Sequence, residues 1–266
     1  MTPADDHEEP LLYTFFVRSP KKHTLFLSLT LSVIAVILFL PSIIENQFPI
    51  DTLVASDKTI AMLLFLLRHP HLLLFFYGIT LLCSASMLLA TVMLLSIVLW
   101  VRNQHTFILT LFLTLLTGEG AMLIGKIFFR RQRPDLLFHA VSETTFSFPS
   151  GHATTAAAFF GFLAYVLLRT KQTKTTRVIG LLIAILLILL LDMSRLYLGV
   201  HYLSDVIAGN LIGLAALLFA IGITEHRIAV KKIRIPDLPI ADIALVLLAE
   251  TIVILGIVLL FVPPWL

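Results

Sequence analysis

Charge is what this 266-residue chain has least of. Only 13% of its residues are Asp, Glu, Lys or Arg, against 59% hydrophobic. Soluble domains carry about 25% charged residues, so this chain cannot clothe a globular surface with polar side chains. Its apolar richness equally excludes a disordered chain. Cysteine is nearly absent too. The single Cys83 cannot close an internal disulfide, which excludes a disulfide scaffold. Set in a largely apolar stretch, it reads as a small buried hydrophobe. No internal repeat and no low-complexity linker divides the chain. The net charge of +3 is not gathered into a basic stripe with interleaved aromatics, so a nucleic-acid footprint is absent as well. What remains is an all-α membrane protein with several spans.

A helix needs about 20 apolar residues to cross about 30 Å of hydrocarbon. Runs that meet or approach this length cover 25–43, 71–101, 107–127, 153–168, 178–196, 203–223 and 240–262. The first is too long for a signal-peptide core, follows an acidic start and has no small-residue cleavage site after it, so it reads as an uncleaved span. The second is longer than needed, which implies tilt or a start among the headgroups. The fourth is short, and Ser150, Gly151 and His152 are available to extend it. Residues 51–67 mix polar and apolar side chains at helical spacing, as a short interfacial helix does. The chain divides into a cytoplasmic segment at 1–24, a transmembrane bundle at 25–223, and a cytoplasmic loop with one additional span at 224–266. With the N-terminus in the cytoplasm, cytoplasmic segments hold most of the 19 Lys and Arg, as the positive-inside rule asks. An integral plasma (inner) membrane protein follows. Seven exceptions lie on the opposite, extracytoplasmic face, and beside Lys58 and Arg68 five of them cluster where topology alone would not put them: Lys126, Arg130, Arg131, Arg133 and Arg195. Cations gathered there imply an anion site.

Three segments meet on that face because the spans alternate. They run from Lys126 to Arg133-Pro134, from Phe148 through Ser150-Gly151-His152, and from Ser194-Arg195 to His201 and Asp205. Their chemistry suits a tetrahedral oxyanion. Arg133 and Arg195 each offer a planar fork of donors and Lys126 a compact charge. Ser150 offers a hydroxyl. Gly151 admits close backbone approach at a helix N-terminus, whose free N–H groups favour anions. His201 and Asp205 are four apart, on one face if helical, so the carboxylate can hold one imidazole nitrogen and leave the other as a nucleophile. His152 lacks a carboxylate at that spacing and suits the protonation of a leaving oxygen.

These residues resemble the three-part signature of the type 2 phosphatidic acid phosphatase family, whose superfamily includes the vanadium haloperoxidases. The resemblance spans roughly 51–223 and rests on Lys126 with Arg133-Pro134, on Pro149-Ser150-Gly151-His152, and on Ser194-Arg195 with His201 and Asp205. It implies a six-helix core, to which the C-terminal span is an addition. It implies that His201 forms a phosphohistidine oriented by Asp205 and that His152 is the general acid. Lys126, Arg133, Ser150, Gly151 and Arg195 would hold the phosphoryl oxygens. It also implies metal-free, cofactor-free chemistry on a lipid phosphate or diphosphate, and the sequence offers no cluster of metal-ligand spacing. Undecaprenyl diphosphate, phosphatidylglycerol phosphate, phosphatidic acid and a lipid A phosphate all fit, with a carrier-lipid diphosphate favoured for an outward-facing site in a bacterial membrane.

Arg130 and Arg131 lie outside the signature and read as snorkelling cations. Tyr197 and Tyr202 read as belt residues or loop packing. Asp192, three before Arg195, is expected to pair with it and fix its fork, or to form a purely structural ion pair. Glu119, two turns below Lys126, serves either to support that lysine or as an inter-helix hydrogen bond. Glu250 reads as an inter-helix hydrogen bond. Three other activities compete: a phosphotransferase using the same histidine, a vanadate haloperoxidase, and a transporter using Glu119, Asp192 and Glu250. Phosphatase chemistry predicts that His201 is indispensable, whereas transport would survive its loss.

Overall fold

The computed structural model describes residues 51–170, 172–231, 233 and 238–261, with the side chains of 51–54 and 261 excepted. The expected segment at 1–24 and the first span at 25–43 lie outside the described residues. Among the described residues the chain is helical and has no strand. In order, the helices are α1 (Asp51–Leu66), α2 (Pro70–Leu81), α3 (Ala85–Val101), α4 (His105–Phe129), α5 (Gly151–Arg169), α6 (Lys174–Tyr197), α7 (Leu203–Lys231) and α8 (Ile240–Phe261). A 3₁₀ turn, Leu136–Phe138, interrupts the loop between α4 and α5.

Five of these helices, α4 to α8, are long and apolar enough to cross a membrane. The expected single span at 71–101 is instead two helices, α2 and α3, which meet at 46°. The long run is therefore bent near its middle. The break falls at Leu82–Cys83–Ser84, where Ser84 adopts an extended backbone and its hydroxyl bonds Leu81 O at 2.8 Å. Hydroxyls that compete for a carbonyl in this way favour a helix boundary over its interior. The expected short span extends as anticipated, with Gly151 and His152 forming its first turn.

Helix α5 is the centre of the bundle, packed by α4, α6 and α7. Nearly every side chain from Ala153 to Leu167 is buried, and its small residues explain how. Ala, Gly and Thr let neighbouring backbones approach where lipid gives no hydrophobic drive for association. The tightest seam is with α7. A Cβ at Gly209 would lie 2.5 Å from Ser150 O, and one at Gly213 2.4 Å from Thr154 O. These two glycines, four apart on one face, bring the α7 backbone against the first turns of α5. The peripheral helices are the reverse. Helix α6 turns Val178, Leu182, Leu186 and Leu189 outward, as a lipid-facing stripe requires. Helix α8 packs on α2 and α3, with Arg102 and Asp242 joined at its start by a 2.6 Å ion pair.

Candidate active site

All three cationic segments converge at one end of the bundle, and each is shaped by its own sequence. Helix α4 carries Lys126 in its last turn and stops at Arg130, which sits at φ 48° and returns its N–H to Lys126 O. Pro134 then disfavours helix in the residue before it, so 131–133 runs on as an extended segment. Alternate side chains of an extended segment face the same way. Arg131 and Arg133 accordingly turn inward while Gln132 is exposed. The next loop is stitched across them: Ser147 N donates to Arg131 O at 2.9 Å, and Phe148 meets Phe129 edge to face at 4.9 Å. Ser150 N then donates to Asp205 O at 3.0 Å, which fixes the start of α5 against the start of α7.

The third segment leaves α6 through Gly199, at φ 74°. Phe138 O lies only 1.9 Å from where a Cβ would stand, so glycine is required there by conformation and by space. Helix α7 begins at Leu203, with Asp205 in its first turn. The Asp205 carboxylate reaches back to accept the Tyr202 N–H at 2.9 Å, as an acidic residue does in a capping box.

His201 lies just ahead of that helix, so the loop, and not a shared helical face, brings it to Asp205. Nδ1 is 3.5 Å from Asp205 Oδ2 and 3.4 Å from Ser147 Oγ. Nε2 faces Arg133 Nη1 at 3.2 Å. A guanidinium only donates, so this contact assigns the lone pair to Nε2 and the proton to Nδ1. Burial pushes the His201 pKa down to about 4, against the opposing pull of Asp205. The ring is therefore neutral at ordinary pH, with Nε2 turned toward the cations.

The cations converge on one small volume. Arg133 also donates to Val200 O at 2.7 Å and Thr145 O at 2.7 Å. Lys126 Nζ donates to Phe146 O. Arg195 is 2% exposed and donates to Thr80 Oγ1 at 2.7 Å. Between the two arginines lies a carboxylate not anticipated from the sequence, Glu143. One of its oxygens meets Arg195 Nη2, and the other is 3.4 Å from Arg133 Nη2. Burial opposes ionisation of Glu143, but Arg195 and Arg133 outweigh it and hold the carboxyl below the usual range. Two donors here lack a partner among the described residues, the buried Ser150 Oγ and Arg195 Nε. Buried donors are seldom left unpaired. His152, on the first turn of α5, makes no hydrogen bond to another described residue and sits in the field of Arg195, His201, Arg133 and Lys126. Gly151 packs at ordinary distance, since a Cβ there would lie 3.4 Å from Met122.

Other expectations need correction. Asp192 does not pair with Arg195. It accepts from Asn210 Nδ2 at 2.6 Å, across the α6–α7 seam. Residues three apart on a helix diverge by about 60°, and Arg195 is already claimed by Thr80 and Glu143. Arg131 does not snorkel. It is held by Asp205 at 2.7 Å and Asp57 at 2.8 Å, and stacks on Tyr202 at 4.5 Å. Its inward direction was readable from its two-residue offset to Arg133. Tyr197 is loop packing, its hydroxyl donating to Leu67 O at 3.0 Å. Glu119 accepts from Thr155 on α5, the inter-helix reading, and keeps an electrostatic link to Lys126. Glu250 lies beside Thr91 of α3, again between helices. No group of three or more His, Cys, Asp or Glu suited to a metal ion occurs among the described residues.

A helical membrane bundle whose buried cations and two histidines meet at one rim defines a class, the membrane-embedded phosphatases. The comparisons agree. Residues 107–229 match the model of the PAP2 superfamily, a stretch that includes every signature residue. Phosphatidylglycerophosphatase B of Bacillus subtilis is 31% identical over 185 residues, 68% of this chain and 87% of that protein. Decaprenylphosphoryl-5-phosphoribose phosphatase of Mycobacterium tuberculosis is 37% identical over 108 residues, 37% of this chain and 54% of that protein. The crystal structure of a transmembrane PAP2-type phosphatidylglycerolphosphate phosphatase from Bacillus subtilis superposes with TM-score 0.63 at 29% identity, covering 76% of this chain and 97% of that one. This chain belongs to the PAP2 superfamily.

Proposed function

We propose that the protein hydrolyses the phosphate of a membrane lipid through a phosphohistidine at His201, without a metal ion. The observation that carries this reading is the convergence of Arg133 and Arg195 on the two oxygens of one small anion, Glu143. Two forks that fit one carboxylate also fit a phosphoryl group, and the unpartnered Ser150 hydroxyl and Arg195 Nε are available to its remaining oxygens. Nε2 of His201 attacks phosphorus as the bond to the leaving oxygen breaks, and His152 gives that oxygen its proton. Water then attacks the phosphohistidine, His152 takes the proton back, and inorganic phosphate leaves. Lys126, Arg133 and Arg195 stabilise the charge that develops. Asp205 holds the ring, and Gly151 leaves the α5 N-terminus open to the anion.

The headgroup would dock at the rim while the tail stays among the spans. The excess of Lys and Arg on the other side supports an extracytoplasmic site in the inner membrane, with the N-terminus in the cytoplasm. The relatives' names favour two substrate types, a phosphatidylglycerophosphate and a polyprenyl phosphosugar. Phosphate release from purified protein over a panel of such lipids, with a polyprenyl diphosphate included, tests the reading. Release that fails on every lipid, or that EDTA abolishes and Mg²⁺ restores, would overturn it. Product analysis with and without an acceptor lipid separates hydrolysis from phosphotransfer.

A further inference from the structure

Three side chains of alternating charge, Asp57, Arg131 and Asp205, form a file that runs from α1 to His201. Asp57, on α1, is 2% exposed. It accepts from Arg131 Nη2 at 2.8 Å, from Ser204 N at 3.1 Å and from the Ser204 hydroxyl. Arg131 Nη1 donates in turn to Asp205 Oδ1 at 2.7 Å and to Ser204 Oγ at 2.6 Å. The other oxygen of Asp205 faces His201 Nδ1 at 3.5 Å. Each carboxylate thus spends one oxygen on the guanidinium. Both also lie at the start of α7, where the helix dipole favours negative charge.

Resting on the phosphohistidine reading above, we infer that Arg131 and Asp57 are positioning residues for His201. Arg131 clamps one oxygen of Asp205 so that the other, which also accepts from Tyr202 N and the Ser147 hydroxyl, addresses Nδ1, and Asp57 limits how much of the Arg131 charge Asp205 and His201 feel. Neither residue touches the phosphoryl group. The file makes α1 part of the catalytic apparatus, although Asp57 lies well outside the stretch that matches the family model.

Opposite signs test this. The charged and titratable groups facing His201 are Asp205, Arg131 through it, Arg133, Arg195, Glu143 and His152. Removing the Arg131 cation leaves Asp205 more negative in effect, which favours the imidazolium. Removing the Asp57 anion does the reverse. In ¹⁵N-histidine NMR of the full chain in detergent, with His201→Ala identifying the resonance, Arg131→Gln should move the His201 titration up by about one unit and Asp57→Asn down by about half a unit. With a hydrolysed lipid phosphate, Arg131→Gln should lower kcat about 100-fold with KM changed less than about threefold, and Arg131→Lys should recover about tenfold. Asp57→Asn keeps shape and size, so its downward shift tests the file even where Arg131→Gln does not purify. Shifts of the same sign in both variants, no shift in Asp57→Asn, or a raised KM with kcat intact would overturn the inference. The NMR arm decides it even if no lipid phosphate is turned over, which separates its failure from that of the phosphatase reading.

Discussion

Arginine meets glutamate at both ends of helix α5, Arg133 and Arg195 with Glu143 at one and Arg169 with Glu225 at the other, to opposite effect. At its far end, Tyr165 and Arg169 both donate to one carboxylate, Glu225 of α7, at 2.7 Å and 2.8 Å. That network ties α5 to α7. At its first turn, cations outnumber anions, Ser150 Oγ and Arg195 Nε have no partner among the described residues, and the His152 side chain makes no hydrogen bond to another described residue. Closed polar networks tie helices together, whereas an open set of donors is available to a ligand. Composition does not separate the two ends. The balance of donors and acceptors does.

That comparison can be broken from either side. The largest effect belongs to His201→Ala, which should abolish phosphate release on every substrate while the detergent-solubilised protein melts within a few degrees of the parent. Residual turnover above about one part in a thousand would show that the open end does not hold the nucleophile. Arg195→Ala removes one fork and should cost about 10²–10³ in kcat/KM, measured as initial rates. A smaller loss would mean that Glu143, and not phosphate, is the main occupant of that fork. The pH profile is gentler. Attack needs neutral Nε2, so kcat/KM should be limited by His201 only on the acid side, falling as pH drops through about 4. An acid limb centred near the ordinary histidine value would show that burial does not govern this ring. Smallest is the closed end. Tyr165→Phe deletes one of two donors to Glu225 and should lower stability by about 1 kcal/mol in chemical denaturation, with kcat changed less than twofold.

Much of the layout of the candidate site could be read from the chain because it draws on residues of fixed type at short spacing. Lys126, Arg133, Ser150, His152, Arg195 and His201 all fall at one rim. Residues defined by long-range partners were hidden. Glu143, Thr80 and Asp57 acquire meaning only when Arg195 and Arg131 arrive from segments 52 to 115 positions away. Asp192 shows the opposite error, since three-residue spacing suggested a pair that Asn210 takes up. The bend between α2 and α3 was likewise obscured, because Ser84, which marks it, sits inside a run apolar enough to read as one span.

The Glu143 bridge has a kinetic consequence. On the proposed reading, an incoming phosphate dianion would have to displace Glu143 from Arg133 and Arg195, a tethered competitor that needs no diffusion to return. Part of the binding energy of substrate is thereby forfeited, but so is that of the inorganic ion left behind. A loop that refills the cradle from within would hasten emptying after each cycle and blunt inhibition by accumulated orthophosphate.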